Sequence, residues 1–208
     1  MPEALAAISV AVAAAYLFIW LPGAPSATRT VFKTAPVALL AALAMATTGP
    51  GLLVFALACS ALGDAALSRD GDRAFIVGLL AFLLAHIAYV VLFFSVAEEA
   101  SGLRWAAIAL VLAYAAVIVR WIWLHLAEMR APVAIYLLAI AGMGVTAALA
   151  PVAFWPIWLG AALFIASDSV LAGETFVWKE APRGWTSPTI WITYFAGQFL
   201  IAAPFVFA

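Results

Sequence analysis

The 208-residue chain gathers its charges into a few short clusters, and between them run apolar stretches long enough to cross a bilayer. A helix needs about 20 apolar residues to span the hydrocarbon core. Eight stretches approach or meet that length: residues 4–21, 34–49, 51–68, 74–97, 104–125, 132–150, 153–172 and 188–207. In lipid every backbone polar group needs an internal partner, and unbroken apolar runs of this length satisfy that need as helices. The expected fold is therefore all-α: a polytopic membrane protein of eight transmembrane helices, one domain over residues 1–208. Only 9% of the residues are charged, against about 25% in soluble domains. With a formal net charge of −1 and no basic patch, a soluble enzyme and a nucleic-acid partner are both excluded. The single cysteine, Cys59, rules out an internal disulfide, and no Cys/His cluster has metal-ligand spacing. No metal and no cofactor is expected.

Local punctuation sharpens this map. Span 2 is short and meets span 3 through Gly49-Pro50-Gly51, which reads as a tight helical hairpin. Span 1 lacks the basic leader of a signal peptide, beginning Met1-Pro2-Glu3, and is read as a retained span. The connections after spans 1, 3, 5 and 7 hold Arg29, Lys33, Arg69, Arg73, Arg120, Arg130, Lys179 and Arg183, whereas those after spans 2, 4 and 6 hold only Arg104. Basic loops stay cytoplasmic, so both termini are expected outside. Trp20, Trp105, Trp121, Trp123, Trp155, Trp158 and Trp191 fall near span ends, as an interfacial belt requires.

A faint repeat joins the two halves. Leu62-Gly63-Asp64-Ala65-Ala66-Leu67 in span 3 and Ala166-Ser167-Asp168-Ser169-Val170-Leu171 in span 7 share the pattern x-small-Asp-small-x-Leu. Four spans per half make a parallel repeat, a symmetry that brings spans 3 and 7 together in one bundle.

Ionisable groups inside spans are costly and usually face a cavity or a partner. Here they are Asp64, His86 and Asp168, with Lys33, Arg120 and Glu174 at the margins; Arg120 and Glu174 lie close enough to water to be set aside. At 1.5 Å per residue, Asp64 lies roughly 6 Å inside the cytoplasmic boundary and Asp168 at nearly the same depth. Each sits near its helix C-terminus, where the macrodipole disfavours a negative charge. Two such carboxyls suit an acid/base pair better than a structural role. His86 and Tyr89 share one face of span 4, with His86 roughly 20 Å deep. Contact between His86 and the aspartates is therefore not expected. Tyr194 and Gln198 form an i, i+4 pair on span 8, and Gln198 is placed to meet His86 across the bundle. Lys33, opening span 2, is expected at the lipid phosphate level.

These motifs resemble the YhhN-like lysoplasmalogenase family: Lys33-Thr34-Ala35-Pro36, Gly63-Asp64-x-x-Leu67, Gly78-x-x-x-Phe82-x-x-x-His86-x-x-Tyr89, Phe164-x-x-Ser167-Asp168-Ser169 and Tyr194-x-x-x-Gln198. They run in the family's order over most of the chain. The resemblance implies an integral-membrane hydrolase that cleaves the vinyl ether of a lysoplasmalogen or related lysolipid, giving a fatty aldehyde and a glycerophospho-base. The expected partners are then a lysophospholipid substrate and membrane lipid, and the expected location a bacterial inner membrane. Asp64 and Asp168 are the candidate catalytic residues, with no assignment of which is the acid. Lys33, His86, Tyr89, Tyr194 and Gln198 are candidate substrate-binding residues. Two other readings stand beside this one. A small transporter or lipid-binding protein would use His86 as a proton relay, and a metal-dependent hydrolase would use Asp64, Asp168 and His86 as ligands.

Overall fold

The computed structural model describes residues 2–178, 180 and 183–207, without the side chain of Arg183. Met1, Lys179 and that side chain, which entered the leader and orientation arguments, lie outside the described residues. Eight α-helices and no strand are found among those residues: α1 (Pro2–Ala15), α2 (Ala27–Ala46), α3 (Gly51–Leu67), α4 (Asp72–Ser95), α5 (Leu103–Ile122), α6 (Arg130–Ala148), α7 (Trp155–Ala172) and α8 (Arg183–Val206). Two of them run on into wider π-turns, α1 through Tyr16–Trp20 and α7 through Gly173–Val177. Seven helices are long and apolar enough to cross a membrane, and α3 is a shorter apolar helix of 17 residues. Seventeen residues is the lower limit for a span. Large apolar side chains such as Phe18, Leu62, Phe94 and Leu138 point outward, as a lipid-facing surface requires.

Two boundaries differ from the sequence expectation. Helix α2 begins at Ala27, capped by the Ser26 hydroxyl accepting from the Arg29 amide at 3.1 Å. Its first turns are polar but helical, so hydropathy alone started the span too late. Lys33 consequently lies well inside α2 rather than at its lip. Helix α8 starts before Pro188, which it accommodates close to its N-terminus, where few hydrogen bonds are lost. The hairpin between α2 and α3 is as read: Thr48 adopts a left-handed conformation and the Gly49 amide donates to the Ala44 carbonyl at 2.8 Å.

The packing follows a two-fold pattern. The contacts α1–α2, α2–α3 and α3–α4 recur as α5–α6, α6–α7 and α7–α8, and α2–α8 recurs as α6–α4. That recurrence is what a repeated four-helix unit gives. The closest approach joins α7 and α8, where a Cβ on Gly160 would stand 2.8 Å from the Gly197 carbonyl oxygen, and one on Gly197 2.8 Å from that of Gly160. Small residues let helix backbones meet this closely in membranes. In the first half the Phe82 ring of α4 covers Gly63 of α3, where a Cβ would stand only 2.6 Å from the ring. Both contacts hold the helices that carry Asp64 and Asp168.

Candidate active site

The start of α2, the end of α3, the start of α4, the end of α7 and the start of α8 surround a chamber of about 760 Å³ at one end of the bundle. Its walls carry Arg29, Lys33, Asp64, Arg69, Asp168 and Tyr194, so the matched aspartates face one space. Each carboxyl is held by a phenol from another helix. The Tyr194 hydroxyl donates to Asp64 Oδ2 at 2.7 Å, and the Tyr136 hydroxyl donates to Asp168 Oδ2. A phenol stranded in an apolar core is costly, and each of these finds its partner in a carboxyl. Lys33 lies near enough to Asp64 for the two to attract one another. Arg29 lines the same chamber, and its Nε is buried with no hydrogen-bond partner.

His86 stands much closer to Asp168 than its count along α4 implied. Its Nε2 is 4.0 Å from Asp168 Oδ2, beyond hydrogen-bond distance but directly behind that carboxyl. The depth estimate failed because α7 does not end at Gly173. Its helical path continues to Val177, which puts Asp168 about 14 Å from that end rather than about 8 Å. His86 Nδ1 lies 2.7 Å from the Phe82 carbonyl oxygen. A carbonyl only accepts, so Nδ1 carries the hydrogen, and in the neutral ring Nε2 is a bare acceptor. That buried Nε2 has no hydrogen-bond partner. The imidazole is wedged edge-on against Tyr136 and Phe164, 5.1 and 4.7 Å between ring centres.

Three further placements depart from the sequence reading. Gln198 makes no hydrogen bond to His86; its Oε1 accepts from the Tyr89 hydroxyl one turn along α4. Trp191 is no interfacial anchor: it is buried, donates from Nε1 to the Ala13 carbonyl at 3.0 Å, and lines the chamber beside Tyr16. Glu174, set aside as marginal, lines the chamber from the π-turn after α7. Sequence reasoning missed Arg29, read only as a topology marker, and Tyr136. The signal for Tyr136 was present, because a phenol midway along the apolar run of α6 needs a partner that the run itself does not supply.

A second space adjoins the chamber. It is a narrow apolar cleft of about 80 Å³ bounded by α4, α5, α6 and α7, with Leu79, Val111, Ile118 and Ile140 among its walls. Asp168 borders both spaces, whereas Asp64 borders the chamber alone. The two carboxyls are thus equivalent along the sequence and different in surroundings. Among the described residues, no three His, Cys, Asp or Glu side chains converge as a metal-ligand group.

Comparison with known proteins gives a consistent result. Residues 28–205 match the YhhN family. The chain is 36% identical over 191 residues to the lysoplasmalogenase of Mycobacterium tuberculosis, covering 86% of this chain and 70% of that protein. It is 34% identical over 193 residues to the lysoplasmalogenase TMEM86B of Homo sapiens, covering 89% and 79%. TMEM86B of Rattus norvegicus is 33% identical over 195 residues, covering 89% and 77%. No solved structure matches the chain.

Proposed function

The chain belongs to the YhhN family, and from that membership and the geometry of the chamber we infer that it is an integral-membrane hydrolase of lysoplasmalogens. The reaction cleaves the vinyl ether and releases a fatty aldehyde and a glycerophospho-base. A vinyl ether hydrolyses by protonation of its β-carbon, which leaves an oxocarbenium ion on the carbon bonded to oxygen. Water adds to that carbon and loses a proton, and the resulting hemiacetal expels the glycerol oxygen as an alcohol. The chain needs one group to give the first proton and another to hold the cation and accept the proton from water.

Asp168 is the proton donor and Asp64 the partner carboxylate. The single observation that carries this assignment is that Asp168 borders both the polar chamber and the apolar cleft. The vinyl ether lies where a polar head becomes an alkyl chain, so its reacting carbon belongs at such a junction. Tyr136 and Tyr194 fix the orientation of the two carboxyls. Lys33 and Arg29, both lining the chamber, are the cations available to the substrate phosphate. His86, Tyr89 and Gln198 are fully buried behind the chamber's lining, where they pack against the residues that form it rather than touch the phosphate. The clustering of Arg29, Lys33 and Arg69 at the chamber end supports a cytoplasmic mouth with both termini outside.

The test is an aldehyde assay on purified protein given a 1-alkenyl lysophospholipid and, separately, its saturated 1-alkyl analogue. Aldehyde from the alkenyl lipid alone supports the reading. No aldehyde from either lipid, or equal cleavage of both, contradicts it.

A further inference from the structure

The apolar cleft beside Asp168 carries few polar groups: Tyr136, Ser169 and Tyr114 near Asp168, and Thr175 on the π-turn after α7. We propose that this cleft between α4, α5, α6 and α7 is the subsite for the aliphatic chain of the lipid substrate, and that Gly144 on α6 sets its inner end. The proposal deepens the lysolipid reading and rests on it. Continuity is the first argument: a ligand whose head fills the chamber and whose reacting bond reaches Asp168 has the cleft as its next space. The remaining walls are aliphatic and aromatic, which suits a hydrocarbon and nothing that needs hydrogen bonds.

The cleft is narrow, and the wall facing lipid is the one best able to yield. Helix α5 is the least buried of the long spans. Only Ile118 and Ile122 of its residues are buried, and α6 is its main helical neighbour. One hydrogen bond crosses from α5 to α7, the Tyr114 hydroxyl donating to Ser169 Oγ at 3.0 Å. A single alkyl chain therefore has a side entrance from the bilayer, with no need to pass the charged mouth.

At the inner end, Val111 of α5 and Ile165 of α7 close over Gly144. A Cβ at that position would lie 2.9 Å from Ile165 Cδ1 and 2.9 Å from Val111 Cγ1. The absence of a side chain at Gly144 lets these two groups meet and end the cleft. One turn earlier Ala141 lines the cleft itself, with room set by its single methyl. A larger residue at either position shortens the space, and a smaller one at Val111 lengthens it.

The experiment measures binding of saturated 1-alkyl lysophospholipids, from dodecyl to octadecyl, to the detergent-purified protein in mixed micelles of fixed composition. These lipids have no vinyl ether, so the series reads the cleft independently of catalysis. In Ala141→Phe the octadecyl lipid should lose about tenfold in affinity relative to the dodecyl lipid, the equivalent of about two methylenes excluded. In Val111→Ala the preference should move toward longer chains. Thermal unfolding of both variants checks that the bundle is intact, and Val111→Ala carries the test if Ala141→Phe does not fold. A chain-length profile identical in wild type and both folded variants overturns the subsite. If wild type yields no aldehyde while the profile shifts as stated, the reaction assignment falls and the cleft assignment stands.

Discussion

Asp64 and Asp168 occupy the same place in a repeated motif, 104 positions apart, yet the bundle gives them unequal neighbourhoods. Asp64 is almost fully buried, bonded to Tyr194 from α8, and faces Lys33 within a polar chamber. Asp168 is bonded to Tyr136 from α6, stands 4.0 Å from a histidine nitrogen, and touches an apolar cleft. The symmetry extends to the principal helix contacts. It stops at the side chains. Two carboxyls in matching motifs face one chamber, and the divergence around each is the ground for the proposed split between a proton donor and a charge stabiliser. A lone carboxyl could not fill both roles at the same moment, because one needs the proton and the other needs its absence.

Substitutions can break or sharpen this comparison. The largest effect belongs to the carboxyls. Asp168→Asn should lower aldehyde release by about a thousandfold or more, the scale of a lost general acid, and Asp64→Asn by about a hundredfold, the scale of a lost electrostatic stabiliser. Turnover assays on folded protein check both, and the reverse ranking would exchange the two roles. Next come the phenols. Tyr136→Phe and Tyr194→Phe should each cost about tenfold in kcat, equivalent to one hydrogen bond that orients a reacting group. A tenfold loss in only one of them would assign orientation to that aspartate alone.

Lys33→Ala should raise KM about tenfold with kcat nearly kept, because a phosphate contact made equally in substrate and transition state affects binding only. A drop in kcat instead would move Lys33 from the headgroup to the chemistry, through its attraction for Asp64. The smallest effect should follow His86→Asn, which still offers a donor to the Phe82 carbonyl while removing the ring. Since His86 Nε2 makes no hydrogen bond to Asp168, the same kinetic assay should show only a few-fold change in kcat. A loss as large as that of Asp168→Asn would make the histidine a proton carrier.

The bundle and the aspartates were legible in the sequence because cost makes them so. Eight apolar stretches have no soluble alternative, and a carboxyl inside one of them stands out against hydrocarbon neighbours. The x-small-Asp-small-x-Leu pair hinted at a repeat, and the recurring helix contacts agree with it. What depended on several helices at once was not legible. His86 was placed too far from Asp168 because counting residues assumes that every helix ends in one plane, and the π-turn after α7 carries that end five residues further. Lys33 was placed at the lip because the first turns of α2 are polar, and a capped polar turn has no apolar signature. Trp191 matched the belt by position, but position does not say whether an indole faces lipid or the chamber. The cleft that distinguishes Asp168 from Asp64 belongs to four helices, and no window on one of them contains it.

The account stands most directly on the origin of the proton that reaches carbon. It is tested by single-turnover aldehyde release from a 1-alkenyl lysophospholipid, run in H2O and in D2O with mass analysis of the trapped aldehyde. Proton transfer from an exchangeable carboxyl to the vinyl carbon predicts slower release in D2O and one deuterium on the carbon beside the carbonyl. Equal rates in the two solvents, or an aldehyde without that deuterium, would contradict it.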